Sequence, residues 1–509
     1  VTKGRAFAII ASFIIVWTFA SPVKHAVGEE LAQTTTWEAP QRVPSPEETS
    51  SLYPDVAVEA SGLIHVFWTE LYSEQSQDAV VQTYQVMTAS LSGNQWSTFN
   101  DLTSLDATNP RASVVGDARS MVHMLFNAAP GMSLYYQTAA SEQAFSARGW
   151  NGQVPMNDFN RTAWSDLAIQ GERLVMAYSD LNTADSECAE CADIYVRMSE
   201  DGGVLWDAPV AINPTEGNST LPQVEMDSAG NVYVTWLEGI GRSQGTGQQN
   251  GYFMFFDQEE NRWNSPVIIE RPAPQIASLS VGANGQGDVV LVWRTRDPEY
   301  SGIFFAVSPD YGINWSIPQT IVGLESSASQ NVDDQYDMET DGQGMIHLVL
   351  AAQLADSTGF VDSTDLPGLY HLEWNGDWAS PILLYKGARI PEHPRMAIAN
   401  GNELHVVWSI RDVLSAGLIP SEILYARGRS SAPFVQPEKL PTFTPTVVIV
   451  PEVLEADSAN TPVPDIEVTV SSVNTDIYSE NDEYLVVLYA LIPVVILLVV
   501  VLLVARNQK

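Results

Sequence analysis

The chain has 509 residues, is 45% hydrophobic, and sets 62 acidic against 24 basic side chains for a formal net charge of -38. A chain of this size can bury a large core, and its acidity is the opposite of the basic footprint that nucleic-acid binding needs, so nucleic acid is excluded as a partner. Two cysteines cannot complete a four-ligand zinc site, so no metal or other cofactor is expected; a structural divalent cation is the one alternative the acidity leaves open.

In chain order, Lys3 and Arg5 precede an apolar run from Ala6 to Ala20, followed by Ser21 and Pro22. A basic start, an apolar stretch and a small-residue exit at Thr18 and Ala20 make residues 1–26 a signal peptide or an uncleaved N-terminal anchor. Residues 34–440 then carry a repeat. Its clearest copies run from Pro54 to Trp68, from Pro222 to Trp236 and from Pro394 to Trp408, each with two short alternating stretches around a turn. Looser copies end at Phe126, Tyr178, Trp293 and Leu350. These seven landmarks are spaced 58, 52, 58, 57, 57 and 58 residues apart. A second hairpin follows each copy and often closes on Trp with Pro three residues later, as at Trp206 and Pro209 or Trp263 and Pro266. Four strands per repeat is one propeller blade. The spacing therefore predicts an all-β propeller of seven four-stranded blades, with six as the alternative.

The seventh repeat, through Ser421-Glu422-Ile423-Leu424-Tyr425, lacks the Trp-x-x-Pro ending, and the missing piece stands before the first repeat as Trp37-Glu38-Ala39-Pro40. Residues around 34–43 are expected to complete the last blade and remove its open edge. The alternative is that Pro433 to Leu440 forms that strand. Cys188 and Cys191 lie three residues apart in an acidic loop, which reads as a local disulfide in an oxidising exterior. Residues 441–483 are rich in Pro, Thr and Val and read as a semi-extended stalk. Residues 485–505 form an uncharged apolar run long enough to span a bilayer as a helix. Arg506 and Lys509 follow the run, while Asp482 and Glu483 precede it, so 506–509 is the cytoplasmic tail of a single-pass cell-membrane protein with an extracellular propeller.

Two turns carry a more specific pattern. Ser199, Asp201, Gly203 and Trp206 fit S-x-D-x-G-x-x-W, and so do Ser308, Asp310, Gly312 and Trp315. On these residues the chain resembles the sialidase-like propellers, the bacterial neuraminidase repeat (BNR) or Asp-box superfamily, over roughly residues 37–440. In such a turn Asp and Ser cap the loop, Gly allows its backbone and Trp packs between strands. The resemblance places these turns on the face away from the ligand. It also implies, for true sialidases, six blades, three arginines on the sugar carboxylate, an acid/base Asp and a Tyr activated by Glu. The first of those arginines lies in an Arg-Ile-Pro motif near the domain start. Here Arg389-Ile390-Pro391 stands before the last repeat instead, Arg42-Val43-Pro44 is the nearest early match, and no Tyr/Glu pair can be placed by spacing.

Chemistry is expected at the axial face, where first strands begin and second strands end. The loops reaching it run about 69–80, 127–133, 179–192, 237–250, 294–301, 351–368 and 409–421. Guanidinium forks bind carboxylates bidentately, so Arg111, Arg395, Arg294, Arg296 and Arg411 are the ligand-binding candidates, among the acids Glu70, Asp166, Asp180, Glu238, Asp297 and Asp412. Arg111 and Arg395 lead because each follows the Pro that opens its repeat. His65, His123, His347 and His405 recur three residues before a landmark, one per blade, which predicts packing and excludes a shared metal. The sequence points to a membrane-anchored module that holds a carbohydrate or a cell-surface protein; the alternative is an exo-α-sialidase-type glycoside hydrolase. It names no catalytic set.

Overall fold

The computed structural model describes residues 34–436, apart from position 48 and the stretches 76–79, 105–110, 129–132, 158–161, 163, 182–190, 213–216, 240–248, 270–274, 296–299, 301, 327–335, 356–364 and 413–420. The signal segment, the stalk, the apolar run at 485–505 and the tail lie outside the described residues. No helix among the described residues is long and apolar enough to cross a membrane.

The described residues are an all-β, propeller-like fold. The first repeat pairs Ser50–Val58, Ile64–Gln75 and Val80–Ser92 in order, with Gln95–Trp96 and Asn100–Ser104 outside. The second uses Ala112–Gly116, Met121–Ala128, Ser133–Ala140 and Val154–Pro155, and the third Ser165–Gln170, Arg173–Leu181, Ala192–Ser199 and Val210–Ala211. The fourth runs Asn218–Met226, Val232–Gly239 and Gln249–Asp257 to Arg262–Trp263 and Val267–Ile269. The fifth holds Ile276–Ala283, Val289–Thr295, Gly302–Ser308 and Gln319–Glu325, and the sixth Tyr336–Thr340, Ile346–Leu354, Gly368–Trp374 and Ile382–Tyr385. Arg389–Ala399, Glu403–Asp412 and Glu422–Arg429 make the last.

The seven separate blades expected from the spacing do not form. Leu324 and Glu325 of the fifth repeat pair with Leu354 and Gln353 of the sixth, which joins the two into one eight-stranded sheet. Continuous hydrogen bonding therefore makes six sheets.

Why the landmarks recur is plain from packing. Trp68, Phe126, Trp236, Trp293, Leu350 and Trp408 are wholly buried, and Tyr178 nearly so, on second strands covered on both faces by neighbouring sheets. Such strands must be apolar almost throughout. The clusters they build join adjacent repeats, as where Val175 and Val196 meet Val234 and Trp236. The repeating histidines pack on the same strands: His65 bonds Ser90 and Ser141, His123 bonds Tyr136, and His405 bonds Tyr425. Burial pushes His65 down to about 4 and His405 down to about 3, so both are neutral at pH 7.

The N-terminal segment completes the last sheet. Thr36–Trp37 pairs Arg429 and Gly428, and Gln41–Arg42 pairs Tyr425 and Leu424. Gly428 is required there, because a Cβ would stand 2.9 Å from the Trp37 indole. Residues 433–436 form no strand; the Val435 amide donates to the Asn400 carbonyl instead. In the two S-x-D-x-G-x-x-W turns, Asp201 accepts the Val204 and Leu205 amides and Ser199 the Gly203 amide. Asp310 and Ser308 do the same for Asn314 and Gly312. Trp206 and Trp315 then pack edge-on against Tyr136 and Phe253 of the preceding repeats.

Candidate functional site

Each first strand is an edge strand whose free side faces the axis, so its outward backbone groups need partners. Register against the second strands aligns Asp55, Ser113, Asp166, Gln223, Ser280, Asp337 and Arg395 as one ring, each opposite the residue just before a landmark. Three of these acids satisfy the next repeat's edge. Asp55 accepts the Val114 amide at 2.8 Å, Asp166 the Val224 amide at 2.9 Å and Asp337 the Met396 amide at 2.7 Å.

Two residues toward the start of the strand, a bulge interrupts the register in the first, fourth, fifth and seventh repeats. The residues there, Tyr53, Leu221, Ser278 and His393, all have φ between 49° and 53°, the left-handed region. A bulge re-aims a side chain, and non-glycine residues held left-handed cluster where a site is built. Arg111 and Trp164 occupy the matching places in the second and third repeats. The result is a continuous stack around half the axis. His393 meets Tyr53 edge-on at 4.6 Å, and the Arg111 guanidinium lies 3.7 Å from the Tyr53 ring and 4.0 Å from that of Trp164. Cation–π contacts on both faces hold the guanidinium flat. Arg395 lines the same depression and lies 3.8 Å from Asp337.

This depression at the mouth is small, about 30 Å³. Past the ring the axis widens into a cavity of about 650 Å³, lined by all seven ring residues and, two residues further along, by Glu225 and Glu339. Arg395 is the one cation among these lining residues. Burial pushes Asp55 up to about 7 against the pull of Arg395, and raises Asp166 as well. Glu225 and Glu339 are driven well above the carboxylate range by burial first and then by neighbouring acids, Asp337 among them.

No family model matches the sequence, and no curated protein does. Solved structures do. A protein of unknown function from Dyadobacter fermentans is 13% identical over 78% of this chain and 99% of its own, with a TM-score of 0.47. The NanB sialidase from Streptococcus pneumoniae is 12% identical over 77% and 70%, with a TM-score of 0.43. The intramolecular trans-sialidase from Ruminococcus gnavus is 12% identical over 77% and 96%, also with a TM-score of 0.43.

The other sequence candidates lie elsewhere. Arg294 is buried on its second strand with Nε 3.3 Å from the Ser278 hydroxyl. Arg411 is held by Glu392 through two bonds of 2.8 and 2.9 Å. Arg296 and Asp297 lie outside the described residues, as does Cys188; Cys191 is buried and disulfide-bonded. Glu70 accepts from Ser51 and Trp68, while Asp180 lies 3.4 Å from the Asn157 amide nitrogen and Glu238 3.4 Å from the Ser219 hydroxyl. The sequence reading missed Tyr53, Trp164 and His393 at the mouth and the Glu225 and Glu339 pair below it. Its available signal was the recurrent X-Pro step at 53–54, 221–222 and 393–394.

One side-chain group has metal-ligand spacing among the described residues: His347, His371 and Glu373. Its ligand atoms are already engaged. The Trp37 indole donates to His371 Nδ1 at 3.2 Å, His371 Nε2 and His347 Nδ1 are 3.0 Å apart, and Glu373 accepts from Thr34 and Thr35. His371 replaces the tyrosine or serine that answers the equivalent histidine in other repeats, so the pair belongs to packing.

Proposed function

We propose that this chain is a cell-surface binding module, tethered through its apolar C-terminal run, whose propeller-like repeats with two Asp-box turns carry a glycan or protein ligand at the axial mouth. The observation that carries this reading is the convergence of five residues on one depression: Tyr53 and His393 through a repeated bulge, Arg111 and Trp164 from the matching places of unbulged repeats, and Arg395 beside them. Aromatic faces and fixed guanidinium donors are what an oxygen-rich ligand needs. Binding is favoured over hydrolysis by Asp55. Its pKa near 7 would suit a general acid, yet one oxygen takes the Val56 amide and the other the Val114 amide, each at 2.8 Å. Asp166 and Asp337 hold neighbouring strands the same way, which marks a structural role.

The test is glycan-array binding and fluorogenic sialoside turnover by the purified protein, alongside Arg111→Ala. Binding is expected to weaken about tenfold or more with the loss of one charge-assisted donor pair, and turnover to be absent. Robust hydrolysis abolished by Arg111→Ala would promote the exo-α-sialidase reading. Binding unchanged in the variant would remove the mouth from the account.

A further inference from the structure

The segment that completes the last sheet is also tied sideways to the sixth repeat, and that tie has only one proton arrangement. An indole N–H can only donate, so the Trp37 bond at 3.2 Å fixes a lone pair on His371 Nδ1 and the proton on His371 Nε2. That proton is donated to His347 Nδ1, 3.0 Å away, which leaves the second imidazole protonated on Nε2, 3.3 Å from Asp341 Oδ2. Both rings are wholly buried, and Glu373 of the same strand as His371 holds the Thr34 and Thr35 amides at 2.8 Å each.

We propose that this chain of contacts is a proton-sensitive latch on ring closure, which releases the N-terminal segment from the propeller on acidification. A further proton finds no place without loss of a bond. On His371 it must sit on Nδ1, against the indole N–H. On His347 it sits on Nδ1 and drives His371 to its other tautomer, again setting N–H against the indole. Either way the contact that fails is at Trp37. Burial and the neighbouring His347 hold His371 well below the ordinary histidine range, so the latch is closed at neutral pH and opens in acid. The charged groups facing it are Asp341 and Glu373, together with Arg427, Arg429 and Glu403 on the strands that Trp37 covers; these last three are paired with one another. In the first and second repeats the histidine answers a Ser or a Tyr; in the seventh, His405 answers Tyr425, which pairs with Gln41 of the N-terminal segment.

Hydrogen exchange of the full-length chain, corrected for intrinsic rate from about pH 7.5 to about pH 4, reads the latch directly. Protection over residues 34–43 should fall by up to about tenfold per pH unit once His371 takes up a proton, while first and second strands elsewhere keep theirs. In His347→Asn/His371→Gln, and independently in Trp37→Phe, the local pH dependence should vanish. Constant protection down to the lowest pH, or loss shared equally by all repeats, overturns the proposal. So does a local loss that persists in these variants, which would assign it to Glu373 or to His405 beneath Tyr425.

Discussion

At Gly312 the backbone turns at φ 91°, and a Cβ would lie 2.2 Å from a ring carbon of Phe253, a side chain that is wholly buried and cannot retreat. Gly323 is also left-handed in φ, at 81°, but has nothing within 4 Å of the added carbon. The pair separates conformational strain from packing. Gly323→Ala should cost about 1 kcal/mol of stability in urea unfolding, the left-handed penalty alone. Gly312→Ala should cost about 2–4 kcal/mol, because ring displacement is added. Equal losses would mean that the S-x-D-x-G-x-x-W turn is set by backbone conformation only and that its contact with the preceding repeat contributes nothing. The mouth arginines make the same point about position. Arg111 stands 15 residues before Phe126 and Arg395 stands 13 before Trp408. Both follow a proline, yet the first lies in the aromatic stack and the second in the polar ring beneath it.

Among the elements, the N-terminal strands show most directly how a short piece of chain can govern an edge. They cover Glu422–Arg429 through four residue pairs, and bring the wholly buried Val43 against Ile423 and Tyr425. Deletion of residues 34–43 leaves that strand's backbone groups open to pairing with another chain. We expect the deleted protein to lose about 3–5 kcal/mol of stability and to self-associate in a concentration-dependent way by light scattering; a monomer of unchanged urea midpoint would show that closure is dispensable. This closure was legible because a Trp-x-x-Pro motif was missing at one end of the repeat and present at the other. The second strands were legible too, since burial on both faces compresses their composition to apolar residues at a fixed interval. The joining of the fifth and sixth repeats was not. It rests on backbone pairing of Leu324 and Glu325 with residues beyond the landmark Leu350, and hydrogen bonds between repeats leave no periodic mark in side-chain type. The mouth was half legible: the arginines stand out in an acidic chain, but the bulge that aligns Tyr53 with His393 is a backbone property, visible only as a recurrent X-Pro step.

For the whole molecule, the half-buried axial carboxylates and the buried histidines pull stability in opposite directions with pH. The axial carboxylates Asp55, Asp166, Glu225 and Glu339 have folded pKa values above their unfolded ones. The folded state therefore binds more protons, and stability falls as pH rises from about 4 through the folded values. His65, His371 and His405 are lowered, so the folded state binds fewer protons and stability falls as pH drops below about 6.5. Above that point the histidines are neutral in both states and only the carboxylates act. Urea unfolding should accordingly show stability decreasing between about pH 6.5 and pH 8.5, by up to about 1.4 kcal/mol per pH unit for each carboxyl still protonated in the fold. Glu225→Gln with Glu339→Gln removes two of the ionisable groups that line the cavity without removing a capping acid. That variant should be more stable than the parent at the alkaline end and should follow a shallower slope. If parent and variant instead run parallel, the cavity supplies these glutamates with enough water or counter-charge to ionise freely, and the axial pKa shifts do not govern the stability of the propeller.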